Sequence, residues 1–268
     1  MNSAEIKAHW KQRLWFLYRL AARLRFLMTA EATHVGPSGE RYRINRYSFV
    51  ERMIKNGTYE STRASYLRGH LTAADVFVDI GANIGFFTII AACRGASVYA
   101  FEPDPRNYER LRRNVKLNGF SETQVKTYRC ALGGESGHAV LHRPLSDNYG
   151  MASIVGAPAP DGIRVPLQRL DDVLKPFPSR CVIKIDVEGA ELQVLDGAES
   201  VLDKMQGGSL WLVEVHDEVG VEISSVAGRF RSRGYLVSYF DDAAGEITSR
   251  VPAGSDILLL AERPTQPL

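Results

Sequence analysis

Four polar residues in the second half of the chain have the types that proton transfer requires. Asp186 and Glu188 directly follow one apolar run, and Glu214 and His216 close another. Glu214 and His216 are two positions apart, so they share one face of a strand. His216 is the natural general base for a hydroxyl near neutral pH, and Asp186 and Glu214 are its candidate catalytic partners.

The same cluster is a candidate metal site, because carboxylates together with an imidazole suit Mg²⁺ or Mn²⁺ better than zinc. The predicted metal ligands are Asp186, Glu188, Glu214 and His216. A structural alternative exists for Glu188 and for Glu191, since an acid in the first turn of a helix is stabilised by the helix dipole. The roles of base and metal ligand both remain open from the sequence.

A glycine-bearing turn follows the first strongly apolar run of the main part of the chain. It reads DIGANIG over residues 79–85 and leads into an apolar helix. Gly81 and Gly85 have no Cβ, so the backbone can turn sharply close to a ligand. The spacing is GxNxG rather than the GxGxxG of dinucleotide-binding folds. The Asp79 carboxylate repels a phosphate but suits a ligand that bears an ammonium and a sulfonium.

A further carboxylate, Glu102, ends the next apolar run and precedes Pro103. In nucleoside-binding α/β folds, an acid about 20 positions after the first strand accepts hydrogen bonds from ribose hydroxyls. A single carboxylate such as Asp79 or Glu102, taken alone, is equally typical of an acidic residue in a solvated loop. The order of strand, GxNxG turn, helix, strand and Glu-Pro favours a nucleoside cofactor.

A parallel sheet is needed to bring these residues together, and the chain has the pattern of one. After residue 74, short apolar runs alternate with helical stretches, as in consecutive βαβ units. The predicted strands cover residues 76–80, 97–101, 125–130, 181–185 and 210–215. An antiparallel pair, 235–240 with 257–261, closes one edge. The expected fold class is α/β, with a doubly wound, mostly parallel seven-stranded sheet.

Two segments depart from this alternation. Residues 1–74 form a predicted N-terminal helical extension that caps the cofactor, with a short helix near 59–68. Residues 75–268 form the predicted main domain, with an insertion at about 131–180. The insertion carries two predicted short strands, at 138–142 and 163–167.

Apolar residues recur at helical spacing between residues 5 and 28, while lysines and arginines occupy much of the remaining circumference. This pattern predicts an amphipathic helix. Such a helix commonly packs on its own domain or on a second subunit, so a homo-oligomer is one expectation. The alternative is peripheral contact with an anionic membrane surface, which Trp10, Trp15, Phe16 and Tyr18 favour.

The overall composition excludes several classes of protein. The 268 residues are 45% hydrophobic and 24% charged, with a formal net charge of +2. These values are ordinary for a globular protein, and no chain-wide field attracts nucleic acid, so no nucleic-acid partner is expected. Charged residues interrupt the early apolar runs, which argues against a signal peptide, and the three cysteines lack CxxC spacing. We expect a cytoplasmic protein.

The motifs resemble those of the FkbM-like methyltransferases, a branch of the class I enzymes that use S-adenosylmethionine. The resemblance covers about residues 75–216. It rests on VDIGANIG (78–85), FEP (101–103), ALG (131–133), LD (170–171), KIDVEGAE (184–191) and EVH (214–216). The resemblance implies a class I fold, S-adenosylmethionine as the cofactor, and O-methylation of a hydroxyl on a sugar or natural product.

The resemblance also assigns parts of the cofactor site. Residues 79–85 would hold the methionine portion, Glu102 the ribose, and residues 130–132 the adenine edge. Asn148 and Ser153, in the insertion, are expected to approach the cofactor and substrate. The full predicted cofactor-binding set is Asp79, Gly81, Asn83, Gly85, Phe86, Glu102, Pro103, Ala131, Leu132 and Asp186.

The sequence therefore predicts an S-adenosylmethionine-dependent O-methyltransferase whose acceptor is a small molecule, a glycan or a glycolipid, with Mg²⁺ or Mn²⁺ as a further cofactor. Two alternatives from other classes stay open. A nicotinamide-dependent oxidoreductase is disfavoured by the absence of GxGxxG. A non-catalytic cofactor-binding or membrane-recruited module is compatible with the fold, although it has no need of four polar groups at adjacent strand ends.

Overall fold

The computed structural model describes residues 31–45, 48–143, 152–155, 162–178, 180–216, 221–254 and 256–265. The amphipathic helix predicted for residues 5–28 and the predicted site residue Asn148 lie outside these ranges. Both assignments stay predictions. Within the described ranges, no helix combines the length and the apolar character that crossing a membrane requires.

Strands and helices follow each other along the whole described chain. The strands are β1 Ala32–Val35, β2 Arg41–Ile44, β3 Val76–Ile80, β4 Ser97–Phe101, β5 Val125–Tyr128, β6 Ala131–Leu132, β7 Gly137–Leu141, β8 Ile163–Gln168, β9 Cys181–Ile185, β10 Leu210–His216, β11 Leu236–Asp241, β12 Glu246–Thr248 and β13 Asp256–Glu262. The helices are α1 Phe49–Asn56, α2 Ser61–His70, α3 Phe86–Cys93, α4 Pro105–Leu117, α5 Leu170–Val173, α6 Glu191–Asp196, α7 Glu199–Lys204 and α8 Ile223–Arg231.

A large eight-stranded sheet organises the chain, in the order β12-β11-β13-β10-β9-β3-β4-β5. The strands from β10 to β5 run parallel, whereas β13 runs antiparallel to both β10 and β11. The predicted mostly parallel α/β fold and its antiparallel edge are therefore confirmed. The predicted count of seven strands is one short, because the turn after β11 leads into the additional edge strand β12 before β13.

Successive residues of the central strands contribute to two separate cores, one on each face of the sheet. In β3, Phe77 packs into the same cluster as Ile89 of α3, while Val78 packs with Leu195 of α6. All five residues of β9 are buried, as expected for a parallel strand covered on both faces. This two-sided burial fixes the register of the strands, so their carboxyl ends meet along one edge.

The strand order reverses at β3, which has β4 on one side and β9 on the other. In open α/β sheets, ligands bind at such a reversal, outside the carboxyl ends of the strands. Residues at or just after the carboxyl ends of β3, β4, β9 and β10 accordingly surround the main cavity of the described molecule. The topology therefore brings the sequence motifs together.

The insertion forms a small three-stranded sheet of its own, in the order β6-β8-β7. The short strands expected at 138–142 and 163–167 are β7 and β8, which pair antiparallel. Leu141 and Val165 are buried in a small separate cluster between them. The described part of the insertion thus forms a side wall of the cavity, to which Leu141, Ala152 and Ile154 contribute.

The sequence predicted a helical extension before β3. The structure differs, because a hairpin of β1 and β2 precedes α1 and α2. We call its described part, residues 31–45 and 48–74, the cap. Tyr42 and Leu67 of the cap are buried in the same cluster as Phe77 of β3. The cap and the sheet therefore share a hydrophobic core.

Polar contacts also fix the cap on α4. The side-chain oxygens of Asn114 and Asn118 accept hydrogen bonds of 2.8 Å from the backbone N–H groups of Arg43 and Arg41. Glu51 of α1 is 1% exposed and pairs with Arg110 of α4, with 2.6 Å between a guanidinium nitrogen and a carboxylate oxygen. These contacts hold the cap beside the end of β3.

Candidate active site

The carboxyl ends of β3, β4, β9 and β10 open into a cavity of about 510 Å³. Small-molecule sites commonly measure roughly 300 to 1,000 Å³. Predicted site residues on its wall are Gly81, Asn83, Glu102, Pro103, Ala131, Leu132, Asp186, Glu188, Glu214 and His216. Further wall residues come from the cap and the carboxyl-terminal strands: Tyr59, Glu60, Arg63, Asp242 and Asp256. Candidate cofactor residues and candidate catalytic residues thus face one space.

The glycine turn is shaped by contacts within the protein. Gly81 has a φ of 82°, and a Cβ on it would lie 1.8 Å from the carbonyl oxygen of Asp186. Gly85 precedes α3 with a φ of 89°, and a Cβ there would lie 2.6 Å from Leu111. Gly81 therefore lets the turn approach the loop after β9, which places the glycine turn beside Asp186. Gly85 packs against a helix instead of lining the cavity.

Asp79 lies beneath the turn rather than on the wall of the main cavity. It is 1% exposed, and its Oδ2 accepts a hydrogen bond of 2.6 Å from the Thr88 hydroxyl. Its Oδ1 is buried without a hydrogen-bond partner among the described residues. Burial raises the pKa of Asp79, and the Lys184 ammonium opposes that rise. Asp79 and Phe86 line a small cleft that shares Gly81 with the main cavity.

Glu102 is held at the cavity by two backbone amides. Its Oε2 accepts a hydrogen bond of 2.7 Å from the Asn83 N–H, and its Oε1 accepts one of 2.8 Å from the Asp104 N–H. Burial raises the pKa of Glu102 to about 8, although these hydrogen bonds oppose the rise. Each carboxylate oxygen has a second lone pair. The group therefore retains the capacity to accept hydrogen bonds from a ligand.

The wall next to Glu102 is mostly apolar. Cys130, Ala131 and Leu132 line the cavity there, together with Leu141 of the insertion. Cys130, Ala131 and Leu132 are each 5% exposed or less. This surface suits a flat base, and the adenine edge that the resemblance implies for residues 130–132 stays a prediction.

His216 is 8% exposed at the end of β10, and its two ring nitrogens have different surroundings. Nε2 lies 3.6 Å from an oxygen of Asp186 and 3.6 Å from an oxygen of Glu188, and it has no hydrogen-bond partner among the described residues. Nδ1 lies 3.3 Å from Oδ1 of Asp256. Burial lowers the pKa of His216, but Glu188, Glu214 and Asp186 outweigh this effect, so the pKa is raised. Nε2 is placed to accept a proton or to bind a cation.

Lys184, to which the sequence assigned no role of its own, is the buried counter-ion of Asp186. Its ammonium lies 2.8 Å from Oδ2 of Asp186 and 4.9 Å from the ring centre of Phe87. Lys184 also stands opposite Asp79 in the register of β3 and β9. Burial lowers the pKa of Lys184, yet the carboxylates around it, Asp186 foremost, raise it overall. Lys184 stays charged and orients one oxygen of Asp186.

Glu188 and Glu191, which share a sequence motif, have different environments. Glu188 lines the cavity, and burial raises its pKa to about 7. The Ser153 hydroxyl donates a 2.6 Å hydrogen bond to the Glu188 carbonyl oxygen, so part of the insertion does reach the site. Glu191 is fully buried in the first turn of α6 and accepts a hydrogen bond of 2.9 Å from the Gly189 N–H. The first-turn alternative therefore describes Glu191, not Glu188.

Glu214 forms an ion pair, and among the other predicted metal ligands it is grouped with Asp186 alone. Its Oε1 lies 2.8 Å from a guanidinium nitrogen of Arg63 in α2, and a second nitrogen of Arg63 lies 2.7 Å from Asp242. Among the residues that the structure describes, two groups of ligand atoms have all members within 4.8 Å of one another: Asp186, Glu188 and His216, and separately Glu60, Asp186 and Glu214. The structure thus joins three of the four predicted ligands and places Glu214 in a neighbouring group.

Sequence reasoning misses four charged wall residues, namely Glu60, Arg63, Asp242 and Asp256. Charged residues on a helix or an edge strand are typical of a solvated surface, so no local signal marks these four. Their role depends on contacts between distant segments. Arg63 and Asp242, for example, are 179 positions apart in the chain.

A family model described as Methyltransferase FkbM domain matches residues 79–237, more than half of the chain. This chain belongs to the FkbM methyltransferase family. The match includes Asp79, Glu102 and the ends of β9 and β10, and it confirms the resemblance that the motifs indicated. Glu60 and Arg63 precede the match, and Asp242 and Asp256 follow it.

Individual relatives of this methyltransferase differ in how much they share with it. The 31-O-demethyl-FK506 methyltransferase FkbM of Streptomyces tacrolimicus is 29% identical over 66% of this chain and 79% of that protein. The hexuronic acid methyltransferase AglP of Haloferax volcanii is 31% identical over 53% of this chain and 56% of that protein. A crystal structure of methyltransferase FkbM from Methylobacillus flagellatus KT covers 78% of this chain and 52% of that chain, at 16% identity and a TM-score of 0.49. The chain spans only part of each.

Proposed function

We propose that this chain transfers a methyl group from S-adenosylmethionine to a hydroxyl oxygen of a small acceptor, such as a sugar, a glycolipid or a natural product. The main support is that the glycine turn, Glu102 and the cluster around His216 all line one cavity. The relatives support this acceptor class, because one is named for a hexuronic acid and another for a demethylated FK506.

The cofactor end of the cavity fits S-adenosylmethionine. In the small cleft that adjoins this end, Asp79 offers a buried oxygen without a hydrogen-bond partner among the described residues, which suits an ammonium group better than an anion. Glu102 has lone pairs for two ribose hydroxyls, and the apolar wall at 130–132 suits the base. A nicotinamide dinucleotide fits less well, since its pyrophosphate would approach these two carboxylates.

When bound, S-adenosylmethionine supplies an electrophilic methyl group, and transfer forms a C–O bond while the S–C bond breaks. The chain aligns the acceptor hydroxyl, excludes water and takes up the hydroxyl proton, for which we assign Nε2 of His216. Asp186, oriented by Lys184, stabilises the imidazolium that results. Alignment contributes roughly 7 to 11 kcal/mol to lowering the barrier, and a positioned base about 10²- to 10⁴-fold in rate.

A divalent cation fits part of the same cluster, and we propose Mg²⁺ or Mn²⁺ as an alternative occupant beside Nε2. Asp186, Glu188 and His216 provide ligand atoms within 4.8 Å of one another. Bound there, the cation would supply Lewis-acid polarisation of the acceptor hydroxyl. Nε2 of His216 then serves as a metal ligand rather than as the base, so the two assignments make different predictions for metal dependence.

Calorimetric titration with S-adenosylhomocysteine, with and without Mg²⁺, tests the cofactor site. Micromolar binding supports it, and a gain in affinity with Mg²⁺ supports the cation. Asp79→Ala is expected to abolish this binding while His216→Ala retains it; unchanged binding in the Asp79 variant contradicts the site assignment. Absence of binding in both buffers removes the proposal and favours a non-catalytic module. Transfer of labelled methyl groups to a panel of glycosides and glycolipids then tests the acceptor class.

The surroundings of the enzyme are a further part of the proposal. All three cysteines are free thiols, which favours a reducing compartment such as the cytoplasm. Contact of residues 5–28 with a membrane or with a second subunit remains a prediction from the sequence. Sedimentation with anionic vesicles and the mass of the purified protein in solution test these two partners.

A further inference from the structure

Glu60, immediately before α2, has an unfavourable backbone conformation. Its φ is 41° and its ψ is 40°, which is the left-handed region, and its side chain does not cap the helix. A residue with a Cβ is destabilised in this conformation. Such strain persists only where the surrounding structure imposes it, and it is concentrated at binding and catalytic sites. The conformation of Glu60 is therefore one that a binding role of its side chain would explain.

The carboxylate of Glu60 belongs to the cavity wall and lies in a crowded acidic group. Oxygens of Glu60, Asp186 and Glu214 lie within 4.8 Å of one another. Two cations offset part of this charge. The Lys184 ammonium lies 2.8 Å from Asp186, and Arg63 lies 3.6 Å from Glu60 and 2.8 Å from Glu214. Burial, followed by the charge of Glu214, raises the pKa of Glu60 to about 7. Carboxylates at this spacing destabilise the protein unless a donor or a cation binds between them.

Polar atoms around this group lack partners. Glu214 is 8% exposed, and its Oε2 is buried without a hydrogen-bond partner among the described residues, as is Oε2 of Glu60. His216, also 8% exposed, has its unpartnered Nε2 on the same cavity. Buried polar atoms without partners are rare in folded proteins. Their concentration here indicates a ligand that donates hydrogen bonds.

We propose that Glu60 is an acceptor-binding residue, which together with Glu214 receives hydrogen-bond donors of the methyl acceptor and selects acceptors that carry no negative charge at this point. The proposal rests on the proposed function and adds a substrate class, neutral polyols and amino sugars rather than uronates or phosphate esters. Carboxylates accept hydrogen bonds and attract ammonium groups, whereas they repel anions. Arg63, the one lysine or arginine among the described cavity residues, is already engaged by Glu214 and Asp242.

Thermal stability separates a ligand-binding Glu60 from a structural one. Glu60→Gln keeps the shape of the side chain and removes repulsion from Asp186 and Glu214, so we expect the Tm to rise by about 2 to 4 °C. The matched control is Glu51→Gln in α1, a buried carboxylate that pairs with Arg110 and accepts a hydrogen bond from the backbone of Asn45. The control is expected to lower the Tm. A lower Tm in both variants makes Glu60 a structural residue and overturns the proposal.

Charge selection is tested by measuring the binding of p-nitrophenyl glucoside, glucosaminide and glucuronide. Saturation-transfer NMR in the presence of S-adenosylhomocysteine detects this binding. The wild-type protein is expected to bind the glucuronide at least about tenfold more weakly than the other two. Glu60→Gln is expected to weaken glucosaminide binding and to strengthen glucuronide binding. If none of the three glycosides responds to the substitution, or if the glucuronide binds the wild-type protein best, the proposal is wrong.

Titration with Mn²⁺ distinguishes an acceptor group from a metal ion as the partner of Glu60. A cation held by Asp186, Glu188 and His216 raises the Tm of the wild-type protein and of Glu60→Gln alike, which supports the proposal. A Mn²⁺ effect that disappears in Glu60→Gln makes Glu60 a metal ligand and overturns it. Failure of the proposed function is recognised separately, as absent binding of S-adenosylhomocysteine, because the Tm comparison needs no cofactor.

Discussion

The imidazole of His216 has a carboxylate on either side of the ring, and the two sides have different consequences. Asp256, at 3.3 Å from Nδ1, accepts the N–H of that nitrogen and thereby selects one tautomer. The lone pair of Nε2 is then left for a proton or a cation. Carboxylates in this position orient both catalytic and metal-binding histidines. Asp256 is thus a positioning residue for either assignment of His216.

Asp256→Asn is therefore expected to lower the rate of methyl transfer by about 10- to 100-fold, because His216 loses the partner that fixes its tautomer. Affinity for S-adenosylhomocysteine should stay unchanged. Steady-state kinetics and calorimetry measure the two quantities. Glu262→Gln, at the far end of β13, is the control and should leave both unaltered. An unchanged turnover number in Asp256→Asn shows that the contact has no role in orientation.

The raised pKa of Glu102 predicts that cofactor binding depends on pH. With a pKa of about 8, set mainly by burial, Glu102 is largely protonated at pH 6 in the free protein. Ribose hydroxyls donate to the ionised carboxylate, so binding favours loss of that proton. Affinity for S-adenosylhomocysteine should rise between pH 6 and 8, by at most about tenfold per pH unit. Calorimetry at several pH values measures this slope, which Glu102→Gln should flatten; an equal slope in that variant assigns it to another group.

Single residues of the site were predictable where their chemistry is tied to a local pattern. Asp79 and Glu102 were found because each ends an apolar strand at a characteristic distance from a glycine turn. Lys184 lies inside a buried strand, and its charge is explained only by Asp186 and by the neighbouring strand that carries Asp79. Glu60 has no local signal, since the carboxylates that it approaches, Asp186 and Glu214, come from distant segments of the chain.

The turn between β3 and α3 is the element on which the proposed cofactor site depends. Its glycines were predicted to let the backbone approach a ligand, whereas the structure shows that the near neighbour of Gly81 is the Asp186 carbonyl oxygen. The contact between Gly81 and the Asp186 carbonyl oxygen therefore fixes the turn and Asp186 relative to each other. The spacing of the motif was readable because a positive φ restricts which residue can occupy the position.

Gly81→Ala is expected to lower the free energy of unfolding by about 3 kcal/mol and to abolish binding of S-adenosylhomocysteine, because the new Cβ collides with backbone. Urea unfolding and calorimetry measure the two effects. Gly119→Ala is the matched control, since Gly119 has a φ of 76° and open space where a Cβ would lie. It should cost only about 1 kcal/mol and leave binding intact. Equal losses in both variants would assign the effect to φ alone.

At the scale of the whole molecule, the cap and the sheet form one packed body although the sequence suggested a boundary near residue 75. The change of periodicity there is real, because β3 begins the parallel sheet. The periodicity does not predict the shared core, in which Leu67 and Tyr42 pack with Phe77. Contacts between segments distant in the chain decide this, and a single sequence holds no direct record of them.

Leu67→Ala is expected to destabilise the entire protein by about 2 to 5 kcal/mol, because Leu67 is 1% exposed in the shared core. Fluorescence of Trp211, isolated by replacing Trp10 and Trp15 with phenylalanine, should report the same urea midpoint as far-UV circular dichroism. Val35→Ala, in an exposed position of β1, should change stability by less than about 1 kcal/mol. Separate midpoints for the two probes would show that the cap unfolds independently.

The residues of the cavity wall come partly from inside the family match and partly from outside it. The glycine turn and the strand ends lie within the match. Glu60 and Arg63 precede it, and Asp242 and Asp256 follow it. Substitutions in these flanks can alter the acceptor without touching the residues that hold the cofactor. Exchange of both flanks between family members, with the shared middle kept constant, is therefore the natural route to re-targeting such an enzyme. Exchange of one flank alone would leave Arg63 without Asp242, or Asp242 without Arg63.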